Sequence, residues 1–217
     1  MISSLKESFN INIYFFMKAV FDILFSLLVI FLGSPLFIVI CILIKFSSRG
    51  PLFYYHKRIG KNFKSFNCIK FRTMHPEADD ILENLITQNI NLKDEYEKTH
   101  KLKNDPRITN IGKFLRKTSL DELPQFLNVL RMEMSVVGPR PIVEKEIIKY
   151  EDSIKKVLSI KPGITGLWQV SGRNNLSYKK RVYLDRLYVD NMNSFMDIRI
   201  IIRTFGVLLF PMDRGAY

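Results

Sequence analysis

At 217 residues the chain is long enough for one globular domain with an appendage, which argues against a second full domain. Its net charge is +12 and its mean hydropathy is +0.02 although 25% of its residues are charged, so apolar residues must be concentrated in one part. Of the two cysteines, Cys41 lies in that apolar part and Cys68 outside it, and no Cys/His spacing suggests zinc. This cysteine usage is typical of a reducing compartment.

The apolar part lies near the N-terminus and predicts a membrane segment. Residues 23–44 contain no charged side chain, and as a helix they would extend about 33 Å, enough for a hydrocarbon core of roughly 30 Å. The run is too long and begins too late for a cleaved signal peptide, so we expect it to be retained. Residues 1–44 are neutral overall, so the positive charge belongs to the remainder of the chain. This asymmetry predicts that the soluble part is cytoplasmic.

The membrane segment is interrupted by Ser34 and Pro35. A proline removes one backbone hydrogen bond and collides with the carbonyl of Phe31, which predicts a kink, and the Ser34 hydroxyl could satisfy that carbonyl. Two topologies follow: a kinked helix that spans the bilayer, or a re-entrant helix that turns back and keeps both ends cytoplasmic. Asp22 near the entry weakly favours re-entry, because a charge is costly to translocate. The residues alone leave both topologies open.

The remainder predicts a small, mostly helical α+β domain. Residues 51–59 and 63–72 are rich in aromatic and β-branched residues on either side of a Gly-Lys-Asn turn, which indicates a β-hairpin. Helices are predicted over 76–89, 111–117, 121–134, 144–159, 178–189 and 194–210, and the stretch 91–105 is predicted to be a surface helix or excursion. The helix over 194–210 is either interfacial or part of the core. We therefore divide the chain into a membrane segment, 1–46, and a domain, 47–217.

Two adjacent acids, Asp121 and Glu122, are the leading candidates for chemistry. Ser119 and Glu122 have the spacing of a capping box, and Pro124 fits only the first turn of a helix, so the acids are predicted at a helix N-terminus. There a carboxylate tends to remain ionised and could attack phosphorus, while its neighbour could hold Mg²⁺. Taken alone, such a pair is usually only a helix cap.

Three arginines raise the significance of the acid pair. Arg116 lies five residues before Asp121, whereas Arg140 and Arg173 follow glycines in Gly/Pro-rich turns that fix their direction. Guanidinium groups match phosphate oxygens, although each arginine alone is more often a surface ion-pair partner. Together with the membrane segment, these residues indicate phosphate transfer at a bilayer surface.

Six motifs occur in a fixed order along nearly the whole chain. They are Ser34-Pro35, Lys70-Phe-Arg-Thr-Met74, Asp105-Pro-Arg-Ile-Thr109, Arg116-Lys-Thr-Ser-Leu-Asp-Glu-Leu-Pro-Gln125, Ser135-Val-Val-Gly-Pro-Arg-Pro141 and Pro162-Gly-Ile-Thr-Gly-Leu-Trp-Gln-Val-Ser-Gly-Arg173. Together they resemble the bacterial sugar transferases, also called monotopic phosphoglycosyl transferases. His56, Met132 and Met192 depart from the family pattern, but none belongs to the acid pair or the arginines.

The resemblance implies an activity and a set of partners. A UDP-sugar would donate its sugar-1-phosphate to a polyprenyl phosphate such as undecaprenyl phosphate, with UMP leaving first, at the cytoplasmic face of the bacterial inner membrane. Membrane lipids are expected partners and Mg²⁺ is the expected cofactor. The transferred sugar, the glycan pathway and homo-oligomerisation stay open.

The resemblance also implies residue roles. Asp121 would form a covalent phosphosugar intermediate and Glu122 would bind Mg²⁺, as catalytic residues. Arg116, Arg140 and Arg173 would surround phosphate groups. Ser34-Pro35 would make the membrane helix re-entrant, with both ends cytoplasmic.

Two other classes of function compete with this one. A non-catalytic, membrane-anchored adaptor would use the basic face to hold lipids or an acidic partner, but it would not need the acid pair and three arginines. Nucleic-acid binding is suggested only by charge, because the sequence has no recognition-helix, zinc or aromatic RNA-binding signature. We therefore expect no nucleic acid partner.

Overall fold

The computed structural model describes residues 2–99, 102 and 104–209. The helices in these ranges are α1 (Ile2–Ser47), α2 (Ala78–Gln88), α3 (Ile90–Thr99), α4 (Asn110–Thr118), α5 (Gln125–Leu130), α6 (Ile154–Val157), α7 (Tyr178–Asn191) and α8 (Ser194–Leu209). The strands are β1 (Phe53–Ile59), β2 (Ser65–Phe71), β3 (Ser135–Val137) and β4 (Gly163–Thr165). Single 3-10 segments cover Lys61–Phe63, Leu120–Glu122, Glu144–Ser153 and Arg173–Asn175. The predicted α+β class with one long apolar N-terminal helix is confirmed.

The predicted β-hairpin is present. β1 and β2 pair antiparallel, with Phe53 opposite Phe71 and Ile59 opposite Ser65. Asn62 in the connecting turn has φ 55°, a left-handed conformation that asparagine tolerates better than most residues. The hairpin thus carries β2 across the domain, where its side chains face the later helices.

Two predicted helices are shorter than expected. Within 121–134, only α5 is α-helical. It begins directly after Pro124, because proline has no backbone N–H to donate to a preceding helical turn. Within 144–159, the backbone is mainly 3-10, and Glu151 breaks it with φ 46° and ψ −133°, leaving only α6 as α-helix. The polar stretch after residue 89 does form a surface helix, α3.

The long helix α1 continues through Pro35. As expected, the Ser34 hydroxyl donates a hydrogen bond of 2.8 Å to the Phe31 carbonyl, which the proline leaves without its usual partner. Residues Ile11–Ser47 are long and apolar enough to cross a membrane, and no other helix in the described ranges meets that condition. The exposed apolar surface is greatest near the middle of the helix, where Phe31 is 77% exposed.

The first half of α1 is bonded to the domain. The Asp22 carboxylate accepts a hydrogen bond of 2.9 Å from the Val136 backbone N–H in β3. Asp197, at the start of α8, accepts hydrogen bonds from Tyr14 (2.9 Å) and Lys18 (2.7 Å) of α1 and from Tyr188 of α7 (2.6 Å). These polar contacts join α1 directly to β3 and α8, and through Asp197 to α7.

The second half of α1 packs against the same body. Ile40 and Ile44 are buried in an apolar cluster with Phe71 of β2 and Leu115 of α4. The ring centroids of Phe37 and Phe71 are 5.5 Å apart. Both sides of Pro35 therefore contact the domain, whereas the segment around Phe31 does not.

Helix α8 packs on the core with one face, as one of the two predicted alternatives requires, and exposes its other face. Ile200 lies in the main core, and Thr204 pairs with Thr165 of β4 at 2.7 Å. The opposite face exposes an apolar stripe at helical spacing: Phe195, Ile198, Ile202 and Phe205. The predicted last residue of this helix, Phe210, lies outside the described residues.

The main core lies beneath the short parallel pair β3–β4. It contains Val129, Met134, Val137, Tyr188 and Ile200. Directly after β3 the backbone of Gly138 approaches the next segment so closely that an added Cβ would lie 2.7 Å from the Lys161 carbonyl oxygen. This glycine allows the following Pro-Arg-Pro turn to leave the core at a fixed position.

Candidate active site

The acid pair lies in the 3-10 segment Leu120–Glu122, between α4 and α5. Ser119 has φ 58°, the left-handed conformation that ends α4, and its N–H donates to the Arg116 carbonyl. Its side chain makes no cap bond, so the predicted capping box with Glu122 is wrong. Because Ser119 reverses the chain, the acids point into the domain one turn before α5 instead of starting that helix.

A lysine that sequence reasoning quoted in a motif, but did not assign to the site, lies between the two acids. Lys70 Nζ is 2.5 Å from Glu122 Oε1 and 3.8 Å from Asp121 Oδ2. Its neighbours in β2, Ile69 and Phe71, are buried, and a cation in such a strand needs an anionic partner. A lysine between the apolar residues Ile69 and Phe71 was the available signal.

The two carboxyl groups differ in their electrostatics. Burial raises the pKa of Asp121 to about 6, because the nearby Lys70 and Arg116 only partly oppose it and the Glu122 charge adds to it. Burial would also raise the pKa of Glu122, but the positive charges of Lys70, Arg140 and Arg58 outweigh this and lower it to about 2. At neutral pH both are mainly ionised. Neighbouring cations, not a helix N-terminus alone, keep Asp121 charged.

Arg116 and Arg140 reach the acid pair from different elements. Arg116 in α4 donates from Nε to Thr73 Oγ1 at 2.9 Å. Burial lowers the pKa of the Arg116 guanidinium, and the carboxylate that most opposes this effect is Asp121. Arg140 follows the Gly-Pro turn after β3 and lines the same cleft as Glu122. Its guanidinium carbon lies 5.9 Å from the Trp168 ring centroid, a cation–π contact that restrains it.

Arg173 approaches from the last Gly-rich turn. Burial lowers the pKa of its guanidinium, and the Glu122 charge acts in the opposite direction, so the two groups are within electrostatic reach. The structure thus gathers all three predicted arginines around the two acids. Their roles toward a substrate stay a prediction.

Glu122 and three of the cations border one cleft between the hairpin and the Pro-Arg-Pro turn. The cleft is lined by Arg58, Cys68, Lys70, Glu122, Gln125, Arg140, Pro141, Ile164 and Gln169. Arg58 was not singled out from the sequence; it donates to the Pro141 carbonyl at 3.2 Å and so ties β1 to the turn. Beside it, burial and the charges of Arg58, Lys70 and Arg140 lower the pKa of His56 to about 4, so this histidine is neutral at pH 7. A cleft of this charge suits a ligand with several phosphates.

The donors in the cleft fit a metal shared with a ligand. Within the described ranges no group of three or more His, Cys, Asp or Glu residues could hold a metal ion by itself. Glu122 supplies an ionised carboxylate, and Mg²⁺ commonly binds proteins through one or two carboxylates together with substrate phosphates and water. The protein side of such a site would be Glu122, with Asp121 beside it.

Comparison with known proteins agrees with this geometry. The model of the family described as "Bacterial sugar transferase" matches residues 13–211. The chain is 48% identical to the exopolysaccharide production protein ExoY of Rhizobium meliloti, over 92% of this chain and 88% of that protein. It is 47% identical to the undecaprenyl-phosphate galactose phosphotransferase of Salmonella typhimurium, over 93% of this chain but 42% of that protein.

A third relative is the UDP-glucose:undecaprenyl-phosphate glucose-1-phosphate transferase of Klebsiella pneumoniae, 38% identical over 96% of this chain and 42% of that protein. The family match spans nearly the whole chain, and four of the six motifs quoted above contribute residues to the cleft. The chain belongs to the bacterial sugar transferase family.

Proposed function

We propose that this protein transfers a sugar-1-phosphate from a UDP-sugar to undecaprenyl phosphate, which releases UMP and begins the assembly of a bacterial glycan. The observation that carries this proposal is the adjacent pair of a buried Asp121 and a partly buried Glu122, surrounded by cations from four separate segments. The names of the Salmonella and Klebsiella relatives describe sugar-phosphate transfer to undecaprenyl phosphate, which supports the same reaction. A membrane adaptor has no use for such a pair.

The reaction proceeds in two displacements at one phosphorus atom. An Asp121 carboxylate oxygen attacks the phosphorus that bears the sugar, and the bond from that phosphorus to the UMP oxygen breaks. The resulting aspartyl phosphosugar is then attacked by a phosphate oxygen of undecaprenyl phosphate, and the bond to Asp121 breaks, which restores the carboxylate. No net proton transfer is needed. The covalent intermediate replaces one step, in which three anionic groups would have to come together, by two simpler displacements.

The cations make this attack feasible. Burial removes water from Asp121, while Lys70 and Arg116 stabilise its ionised form. Arg116, Arg140 and Arg173 bind the phosphates of donor and acceptor, because guanidinium groups pair with phosphate oxygens in a defined orientation. Lys70, which contacts Glu122 in the free protein, transfers its contact to a donor phosphate.

Mg²⁺ is held by Glu122 together with donor phosphates in this proposal. When bound, the ion would neutralise charge on the diphosphate and on the departing UMP. The low pKa of Glu122, about 2, supports this role because the side chain is ionised whenever the metal is available.

The membrane helix is re-entrant in this proposal, and the enzyme works at the cytoplasmic face of the inner membrane. Support comes from contacts on both sides of Pro35: Asp22 bonds to Val136 before it, and Phe37 packs on Phe71 after it. A spanning helix would need to place Asp22 and the domain on opposite sides of a hydrocarbon core of roughly 30 Å. The positively charged domain favours the cytoplasmic side.

The topology predicts that both chain ends are reached from the cytoplasm. A short GFP strand tag on the N-terminus should restore fluorescence with the remaining GFP fragment expressed in the cytoplasm. The same tag on the C-terminus is the matched control. Complementation only at the C-terminus would establish a spanning helix and contradict re-entry.

Asp121→Asn should abolish turnover without unfolding the protein, because asparagine keeps the shape of the side chain but cannot form the phosphosugar bond. The assay measures UMP release by detergent-purified protein with undecaprenyl phosphate, Mg²⁺ and a panel of UDP-sugars. Asp190→Asn, which alters an ion pair on α7 away from the cleft, is the control and should remain active. Wild-type turnover by the Asp121 variant refutes the covalent step, and a folded wild type that is silent with every donor favours the adaptor.

Glu122→Gln should weaken the dependence on Mg²⁺. Loss of a carboxylate ligand should raise the Mg²⁺ concentration for half-maximal UMP release by about tenfold or more. Glu83→Gln on the exposed face of α2 is the matched control. An unchanged titration in the Glu122 variant would show that this residue does not bind the metal.

Lys70→Gln should move the acidic limb of the pH profile upward. Asp121 must be ionised to attack, so kcat/KM of the wild type should fall as the pH drops through about 6. Removal of the lysine charge raises the pKa of Asp121, and the limb should shift to higher pH by about one unit. Lys57→Gln on the exposed side of β1 is the control. A lower rate with an unmoved limb would assign Lys70 to phosphate binding alone.

A further inference from the structure

The cleft contains two neutral hydrogen-bonding side chains among its charged groups, Gln125 and Gln169. Cations and a carboxylate serve phosphates and a metal ion, but they do not distinguish one sugar from another. A neutral amide can both donate and accept, which suits a hydroxyl or acetamido group. The amides are therefore the side chains to examine for sugar recognition.

Gln169 is already used by the protein. Its Nε2 donates to the Ile164 carbonyl at 2.9 Å, which fixes the amide against β4. Its Oε1 is buried against the backbone, where an added Cβ on Gly166 would lie 3.0 Å away. Its nitrogen is already bonded and its oxygen is closed off from solvent, so this amide forms part of the cleft wall.

Gln125 is different. It is only 3% exposed and lines the cleft, yet its side chain has no hydrogen-bond partner among the residues that the structure describes. Its amide is not sealed from solvent and Gln125 lines the cleft, so a ligand bound there can supply the missing hydrogen bonds.

The position of Gln125 relative to the acids limits which part of the donor it can reach. Gln125 is the first residue of α5. It follows Glu122 by three residues and Asp121 by four, a separation of about one helical turn. Asp121 attacks the phosphorus that carries the sugar. Beyond the phosphate oxygens and the ring oxygen, which can only accept, the neutral hydrogen-bonding group closest to that phosphorus is the substituent on C2 of the sugar.

We propose that Gln125 is a specificity residue that hydrogen-bonds the C2 hydroxyl or acetamido group of the transferred sugar. This inference rests on the proposed function and deepens it, because it assigns a sugar contact to a cleft otherwise lined by groups for phosphate and metal. Gln125 contributes by binding the donor and takes no part in proton transfer.

The test is a double-mutant-type cycle that compares kcat/KM of the wild type and Gln125→Met, each with the preferred UDP-sugar and with its 2-deoxy analogue. Methionine has a similar size but cannot hydrogen-bond as an amide does. With the preferred donor, the substitution should lower kcat/KM by roughly 2- to 12-fold, the range for one neutral hydrogen bond. With the 2-deoxy analogue, wild type and variant should have the same kcat/KM, because the contact is already absent.

Inhibition by UMP separates the two halves of the donor. UMP contains no transferred sugar, so its inhibition constant should be the same for wild type and Gln125→Met. An equal loss with both donors, or a parallel weakening of UMP inhibition, would overturn the assignment to C2. Gln88→Met at the exposed end of α2 is the matched control and should behave as wild type.

Two safeguards keep the outcome decisive. Thermal unfolding of each variant checks folding, and Gln125→Asn, which keeps a shorter amide, replaces the methionine variant if that protein is unstable. If the wild type releases no UMP with any donor, the proposed function itself fails. If the wild type is active and the cycle shows no coupling, only the Gln125 assignment fails.

Discussion

The constraint on which this structure depends is the removal of two adjacent carboxylates from bulk water, with Asp121 buried and Glu122 partly buried. Such neighbours repel each other and lose hydration, so they remain ionised only where positive charge lies within a few ångströms. Lys70 Nζ lies 3.8 Å from Asp121 Oδ2 and 2.5 Å from Glu122 Oε1. This lysine belongs to a strand more than fifty residues earlier in the chain. Arginines from α4, from the turn after β3 and from the last Gly-rich turn complete the charge balance. The hairpin, the α4–α5 junction and the β3–β4 pair are thus arranged around one electrostatic requirement.

The membrane helix is part of the same arrangement. Asp22 accepts a hydrogen bond from Val136 in β3, and that strand leads directly to the turn carrying Arg140. Asp197 collects hydrogen bonds from α1 and α7, so the domain is attached to the helix by buried polar groups as well as by apolar packing. The proposed reaction on a lipid-linked phosphate would require its nucleophile at a set depth. Attachment of the turn carrying Arg140 to the long apolar helix would meet that requirement.

Sequence reasoning located the acid pair and the three arginines because each stands in a short, distinctive motif. It did not assign Lys70, Arg58 or Gln125 to the site, although two of these belong to quoted motifs. Their significance depends on what lies opposite them, and those partners are distant in the chain. The capping box failed for a related reason: Ser119 adopts a left-handed conformation to reverse the chain, which its pattern with Glu122 does not reveal.

The sequence by itself determined the features set by neighbouring residues. These include the apolar helix, the Ser34 bond to Phe31 across the proline, and the register of the hairpin, all of which depend on local spacing and turn chemistry. Only the tertiary structure decided that both halves of α1 contact one body, and that Gln125 faces the cleft while Gln169 is held in its wall. It also decided that burial raises the pKa of Asp121 while cations lower that of Glu122. Desolvation and long-range charge exist only once separate segments have packed together, so no local pattern could supply them.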